Sequence, residues 1–367
     1  MTAAPVRWGI LGTAGIARKN WEGIRLSGNG VVTAVASRNP GRARDFIREC
    51  QAEAPFAVAP EAVDGYAALL ARADVDAVYL PLPTAPRAEW IRRAARAGKH
   101  VVGEKPCAVD AATLASLLGE CRQAGVQFMD GVMFMHSRRL DAVRAVLDDG
   151  GTIGRVRRVT SAFSFAAPDD FAALNIRGDA RLEPQGCLGD LGWYCLRFTL
   201  WTLGWEMPRR VTARIHASFQ APGCREPVPA EASAELEFAG GVTAGFHCSF
   251  VAANQQWAHV SGTRGLLRIP DFVLPQAGAA NGFETSRPVY RVRGCDFAME
   301  PHDQWHPVAE ASHRDPSAQE VHLFRNFARQ VQSGRLNPDW PDWALRTQQV
   351  LDACLESGRD DGTPVVP

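Results

Sequence analysis

Near the N-terminus an apolar run, Trp8-Gly9-Ile10-Leu11, leads directly into Gly12-Thr13-Ala14-Gly15-Ile16-Ala17. The run reads as a buried strand, the glycines as a tight turn, and the residues beyond as the start of a helix. A turn of this kind lets backbone amides at a helix N-terminus approach a pyrophosphate, as at the opening of a dinucleotide-binding unit. The pattern G-x-G-x-x-G/A is broken once, where Ala14 stands for the second glycine. By itself the turn fits either a nucleotide cradle or an ordinary glycine-rich loop.

The following chain favours the cradle. About twenty residues after such a turn a dinucleotide fold reads the adenosine ribose. There the strand Val31–Ala36 ends in Ser37-Arg38. A hydroxyl and a guanidinium suit a 2′-phosphate better than a 2′-hydroxyl, so NADP is expected, with NAD as the alternative. The other reading of Arg38 is a solvated charge at a strand end. Further strand and helix segments alternate up to about residue 135: Asp64–Leu70 as a helix, Val75–Leu80 as a strand, Ala85–Ala97 as a helix, Lys99–Glu104 as a strand, Asp110–Ala124 as a helix capped by Asp110, and Val126–Phe134 as a strand. Repeated units of this length predict a doubly wound parallel sheet over residues 1–135.

Beyond residue 135 the pattern changes. One helix, Arg138–Asp149, precedes strand-like segments at Val156–Phe165, Val211–Phe219, Ala232–Phe238, Val242–Phe250 and Gly265–Ile269. Gly240-Gly241 marks a hairpin turn. Strands in succession predict a large, open, mainly antiparallel sheet in an α+β domain over residues 136–367. Residues 270–317, rich in Gly, Pro and polar side chains, read as loop, and Gln319–Ser333 and Trp343–Ser357 as terminal helices, of which the last can pack back on the first domain. The segments 232–238 and 242–250 offer a second sheet face of low charge. Such a face predicts a homodimer or homotetramer formed through it.

Composition excludes several classes. Lys plus Arg equals Asp plus Glu at 40 each, which gives no basic excess for nucleic acid or a membrane surface. No apolar run approaches membrane-spanning length, and the N-terminus lacks the layout of a signal peptide. Nine dispersed cysteines without C-x-x-C spacing read as free thiols in a reducing, cytoplasmic compartment.

Two clusters could do chemistry. Val102-Gly103-Glu104-Lys105-Pro106 closes a strand, and a lysine there can hydrogen-bond a substrate hydroxyl or stabilise a developing alkoxide. Glu104 would help keep that ammonium charged; a surface strand end with an incidental ion pair is the alternative. The second cluster is Gly186 to Arg197. If it is helical, Asp190 and Tyr194 share one face. A phenol can pass a proton to a carbonyl oxygen once a cation such as Lys105 lowers its pKa from near 10. An N-capping Asp and a buried Tyr are the alternative. Arg177 can add a guanidinium facing substrate, or be an exposed loop residue. His302 to His306 shows no third metal ligand, and no metal is expected. His136 reads as a core or hinge histidine.

Trp8–Ala17, Asp76-Ala77-Val78-Tyr79-Leu80-Pro81-Leu82-Pro83, Glu104-Lys105-Pro106 and Asp190-Leu191-Gly192-Trp193-Tyr194 occur in this order. Together they resemble the Gfo/Idh/MocA oxidoreductases over nearly the whole chain. The Asp-x-Gly-x-Tyr form is most similar to the branch of glucose–fructose oxidoreductase, dihydrodiol dehydrogenase and xylose dehydrogenase. The resemblance implies a Rossmann domain, an open-sheet domain, and hydride transfer at a carbinol or carbonyl of a sugar, polyol or diol. It implies Lys105, Tyr194 and Asp190 as catalytic residues. Leu80, Pro81, Thr84, Glu104 and Lys105 join the cofactor contacts, and Arg177 and Trp193 the substrate contacts. Many relatives carry Pro-Asn-x-x-His where this chain has Pro83-Thr84-Ala85-Pro86-Arg87, and histidine at Tyr194 in the inositol dehydrogenases, which makes inositol a less favoured substrate. A non-catalytic cofactor sensor and a nicotinamide-assisted glycoside hydrolase are the rival readings.

Overall fold

The computed structural model describes residues 4–367. In chain order the first elements are β1 Val6–Leu11, α1 Gly15–Ser27, β2 Gly30–Ser37, α2 Pro40–Glu53, β3 Glu61–Asp64, α3 Tyr66–Leu70, β4 Ala77–Leu80, α4 Thr84–Arg96, β5 His100–Gly103, α5 Ala111–Gln123 and β6 Phe128–Asp130. Then come α6 Arg138–Asp148, β7 Val156–Ser164, α7 Phe171–Leu174, a π-helical turn Leu188–Gly192, α8 Trp193–Thr202, β8 Arg210–Phe219, β9 Val228–Glu237, β10 Thr243–Ser249 and β11 Gln255–Gly262. The last are β12 Leu266–Ile269, β13 Gly282–Ser286, β14 Val289–Arg293, β15 Asp296–Glu300, β16 Asp303–Pro307, α9 Gln319–Gln332 and α10 Asp339–Arg359.

The chain divides into two compact units. Unit 1 holds residues 1–136, 181–184 and 313–348; unit 2 holds 137–180, 185–312 and 349–367. In unit 1 six parallel strands take the order β3-β2-β1-β4-β5-β6. That order reverses between β1 and β4, and a ligand crevice forms at such a switch point. Strands this short are buried on both faces and therefore read as near-continuous apolar runs: every residue of β4, Ala77 to Leu80, is buried. Helix α9 lies in unit 1, where Phe324 and Phe327 meet the indole of Trp8 at 5.3 Å each. Trp8 has no exposed surface, and losing so large a side chain costs about 3–5 kcal/mol. Asp110 caps α5 by accepting from the Thr113 amide at 2.7 Å.

Unit 2 is built on an eight-stranded sheet, β16-β13-β12-β11-β7-β10-β9-β8, antiparallel except for the β10–β7 pair. Alternate residues of each strand point to opposite faces. Val211, Ala213, Ala232, Ala234, Leu236, Ala244, Phe246, Cys248 and Val159 form the buried face. The opposite face is not of low charge: ion pairs Arg158–Glu235, Arg210–Glu237 and Arg268–Glu284 cross it at 2.5–2.7 Å. The arginines come from β7, β8 and β12, outside the two segments on which the low-charge reading rested.

Four expectations are corrected. Residues 270–317 are not loop: β13, β14, β15 and β16 lie there, and the Gly and Pro residues mark their ends. The edge strand β3 and the long strand β11 were not expected, because their apolar residues are few and interrupted by polar ones. The strand foreseen over 126–134 is only Phe128–Asp130, followed by a 3-10 turn at Met133–His136. The helix foreseen from Asp64 begins at Tyr66, since Asp64 closes β3.

Candidate active site

Unit 1 gathers all the expected nucleotide residues on the carboxyl edge of one sheet. Gly12 follows β1, Arg38 follows β2, Pro81 follows β4, and Glu104-Lys105 follow β5. Gly12 has φ 114°, a conformation that only glycine adopts without strain, and its amide donates to the Ala36 carbonyl at 2.9 Å. A Cβ there would also stand 3.1 Å from a Leu82 methyl. Ala14 is the N-cap of α1 and, like Gly15, is exposed; no side chain caps the helix, and its first turn holds no acidic residue. No side chain therefore caps the first amides of α1, which leaves them to a pyrophosphate. Thr13 and Ile16 are half-buried on this turn. Ser37 is buried and accepts from the Asn39 amide at 3.3 Å. Arg38 is exposed and has no ion-pair partner among the described residues. These residues fit a dinucleotide with a 2′-phosphate.

The loops after β4 and β5 are held by side chains that the sequence reading did not assign. Arg87 is buried, and its guanidinium donates to the carbonyls of Leu82, Glu104 and Pro106. It thus ties together the two loops that carry Pro81 and Lys105, which explains an arginine where relatives have histidine. Thr84 is fully buried and donates its amide and hydroxyl to Glu183 at 3.0 and 2.6 Å. Leu80 has no exposed surface. The Glu104 carboxylate accepts from the Tyr79 hydroxyl at 2.6 Å and the Asn20 amide at 3.5 Å. Burial, then the nearby Glu104 charge, holds the Tyr79 phenol well above its ordinary pKa, so it remains a donor. A buried phenol in an apolar strand and a buried Asn on a helix each need a partner, and that need was the available signal for both. Lys105 is half-buried, and its bond to Pro106 is cis.

Unit 2 brings Asp190 and Arg177 together: the guanidinium Nε donates to the carboxylate at 2.6 Å. Asn175 fixes the turn before Arg177 by accepting from its amide at 3.1 Å. Asp190 sits in the π-helical turn and Tyr194 in the first turn of α8. The simple four-residue spacing of an α-helix therefore does not describe their relation, because the wider turn changes the phase. Single π-turns recur at functional sites. Gly186 leads into this segment with φ 51°, and a Cβ there would lie 2.1 Å from the Pro229 carbonyl, so only glycine fits. Tyr194 is buried, with 7% of its surface exposed, and its ring meets Phe163 edge-on at 5.6 Å. Trp193, expected at the substrate, has no exposed surface and lies 5.7 Å from the Arg197 guanidinium, which places it in the core of unit 2. Helix α8 buries nine of its ten residues, Trp193 and Tyr194 among them. His136 is half-buried, between Asn326 at 3.2 Å and the Trp340 ring.

Comparison with known proteins decides the family. Residues 6–132 match the description "Oxidoreductase family, NAD-binding Rossmann fold", and residues 140–268 match "GFO/IDH/MocA C-terminal domain". The chain is 31% identical to a dTDP-3,4-didehydro-2,6-dideoxy-alpha-D-glucose 3-reductase of Actinomadura kijaniata, over 98% of this chain and 97% of that protein. The chain belongs to the Gfo/Idh/MocA oxidoreductase family. It is also 32% identical to an NADP-dependent D-xylose 1-dehydrogenase of Haloferax volcanii, over 95% and 96% of the two chains. A crystal structure of a 3-ketoreductase from Actinomadura kijaniata, in complex with NADP and TDP-benzene, superposes with a TM-score of 0.79 at 30% identity, over 96% and 98% of the chains. This member is a nicotinamide-dependent oxidoreductase of carbinol and carbonyl groups, with a Rossmann domain and a mainly antiparallel sheet domain. Among the described residues no helix is long and apolar enough to cross a membrane.

Proposed function

We propose that the protein is an NADP(H)-dependent oxidoreductase of a sugar-like or diol substrate. The observation that carries this reading is that Lys105 stands on the same sheet edge as the glycine turn and Arg38. Gly12, Thr13, Ala14, Gly15 and Ile16 would cradle the pyrophosphate, and Ser37 and Arg38 the 2′-phosphate. Leu80 and Pro81 would line the nucleotide through the backbone. Thr84, engaged by Glu183, would act by fixing its loop. When bound, the nicotinamide supplies or takes the hydride. Tyr194 gives its proton to the carbonyl oxygen in reduction and takes it back from the hydroxyl in oxidation. Lys105, on the edge of the unit 1 sheet, supplies a positive charge that stabilises a developing alkoxide. Asp190, neutralised in part by Arg177, positions a substrate hydroxyl.

The relatives named above act on keto and aldose sugars, and this supports a sugar ring over other carbinols. The protein would be a cytoplasmic homodimer or homotetramer formed through the open sheet face; its described cysteines are all free thiols, which suits a reducing compartment. The experiment is a panel of aldoses, keto sugars, diols and inositols against both cofactors, read by nicotinamide absorbance. Turnover with at least one sugar or diol, faster with NADP(H), is expected. No absorbance change with any member would overturn the reading. Product formed without net absorbance change would point to the nicotinamide-assisted hydrolase instead.

A further inference from the structure

Helices α1 and α2 and the start of α9 border a cavity of about 450 Å³ in unit 1. Sites for small molecules fall in this size range. Of the residues given to the dinucleotide only Gly15 borders it, and none from the loops after β2, β4 and β5 does. Its apolar wall comes from Trp21, Cys50 and Ala54, all buried. The Trp21 Nε1 already donates to the Ala54 carbonyl at 2.9 Å, so the indole offers only its ring. Burial pushes the Cys50 thiol up to about 11, which keeps it neutral.

Charged side chains stand around this wall in pairs. Arg18 meets Glu49 at 2.5 Å. Arg314, at φ 55° in the left-handed region that favours glycine, reaches Glu53 at 3.3 Å and Glu22 at 3.6 Å. Glu320 is the exception. It is 3% exposed, and its Oε2 accepts no hydrogen bond. The Lys19 ammonium stands 3.8 Å away, beyond hydrogen-bond reach, and donates instead to the Met133 sulfur at 3.3 Å. Glu320 lies in the first turn of α9, where a helix stabilises negative charge. A buried carboxylate oxygen left without a donor costs free energy that a donor restores. With four glutamates against Arg18, Lys19 and Arg314, and His313 neutral, the lining carries one net negative charge.

We propose that this cavity binds a small primary amine. Its ammonium donates to Glu320 Oε2, and its carbon body lies on the wall of Trp21, Cys50 and Ala54. An ammonium brings both the charge and the N–H donors that this oxygen lacks. A metal ion fits less well: among the described residues no group of three metal-ligating side chains is present. The site does not rest on the oxidoreductase reading, since it uses neither Arg38 nor Lys105.

The test is isothermal titration calorimetry of the full chain with ethanolamine, with and without saturating NADP. Ethylene glycol and tetramethylammonium are the controls: the first lacks the charge and the second the N–H donors. Saturable binding of ethanolamine alone, unchanged by NADP, is expected. Glu320→Gln should weaken it about tenfold or more, the worth of a hydrogen bond to a charged group. Lys19→Met should act in the opposite direction. It removes the cation that competes for Glu320, and ethanolamine should bind about threefold tighter, the worth of a partly exposed ion pair. A variant that merely loosens the fold would not bind more tightly. The proposal is overturned by any of four results: no saturable heat with ethanolamine, equal binding of either control, loss of the heat in NADP, or variants that bind ethanolamine as the wild type does.

Discussion

The two halves of the proposed machinery are held in different ways. In unit 1, backbone geometry does most of the positioning: a parallel sheet sets Gly12, Arg38, Pro81 and Lys105 on one edge. Its carboxylate, Glu104, is held by neutral donors, Tyr79 and Asn20, which leaves its charge uncancelled by those two contacts. In unit 2, a side-chain ion pair and an irregular helical turn do the positioning, and the carboxylate, Asp190, is met by the guanidinium of Arg177. A negative charge beside Lys105 would keep that lysine cationic. A carboxylate already paired would orient a hydroxyl without drawing its proton. The difference assigns electrostatics to one half and orientation to the other.

The sharpest way to break this division is at the phenol. Tyr194→Phe keeps the ring contact with Phe163 and removes the proton. Turnover is expected to fall about 10²- to 10⁴-fold with the cofactor Kd unchanged. Full turnover would remove Tyr194 from proton transfer. The next effect is in cofactor choice. Arg38→Ala should lower the NADP-over-NAD preference about ten- to a hundredfold, the worth of hydrogen bonds to a charged group. An unchanged ratio of kcat/KM values would move the 2′-phosphate elsewhere. Third, Arg177→Ala and Asp190→Asn should each raise KM more than they lower kcat. In a double-mutant cycle they should couple by about 1 kcal/mol, as a partly exposed pair does. Additive effects would separate the two side chains.

The smallest effect tests the scaffold of unit 1. Burial lowers the His100 pKa, and its Nδ1 accepts from the Gln127 amide at 2.9 Å, which requires the neutral ring. A histidine with a depressed folded pKa contributes stability that is present above its unfolded value, near 6.5, and is lost as pH falls below it. The thermal midpoint should therefore drop on acidification through that range, and His100→Asn should flatten the drop. An unchanged slope would locate the acid sensitivity elsewhere.

Legibility in the sequence follows the same division. The strand Val75–Leu80, the turn at Gly12 and the cap at Asp110 are local patterns, and the structure keeps them with small changes at their ends. The Arg177–Asp190 pair was not foreseen as a pair, although each residue was named, because nothing local joins a 3-10 turn to a π-turn thirteen residues on. Arg87, Glu183, Tyr79 and Asn20 act on loops or carboxylates far away in sequence, 17 residues in one case and 99 in another. The segment 282–307 was taken for loop because its strands are short, and β14 and β15 are exposed on both faces. Alternation of apolar and polar residues identifies a strand only where one face meets a core.

The most direct measurement of the central claim follows isotope. NADPH deuterated at the transferring position of the nicotinamide is supplied with a reducible keto sugar, for the wild type and for Tyr194→Phe. Deuterium on the product carbinol carbon, formed by the wild type and lost in rate by at least a hundredfold in the variant, is the predicted result. Product that carries no deuterium, or wild-type and variant rates that agree, would contradict hydride transfer assisted by Tyr194.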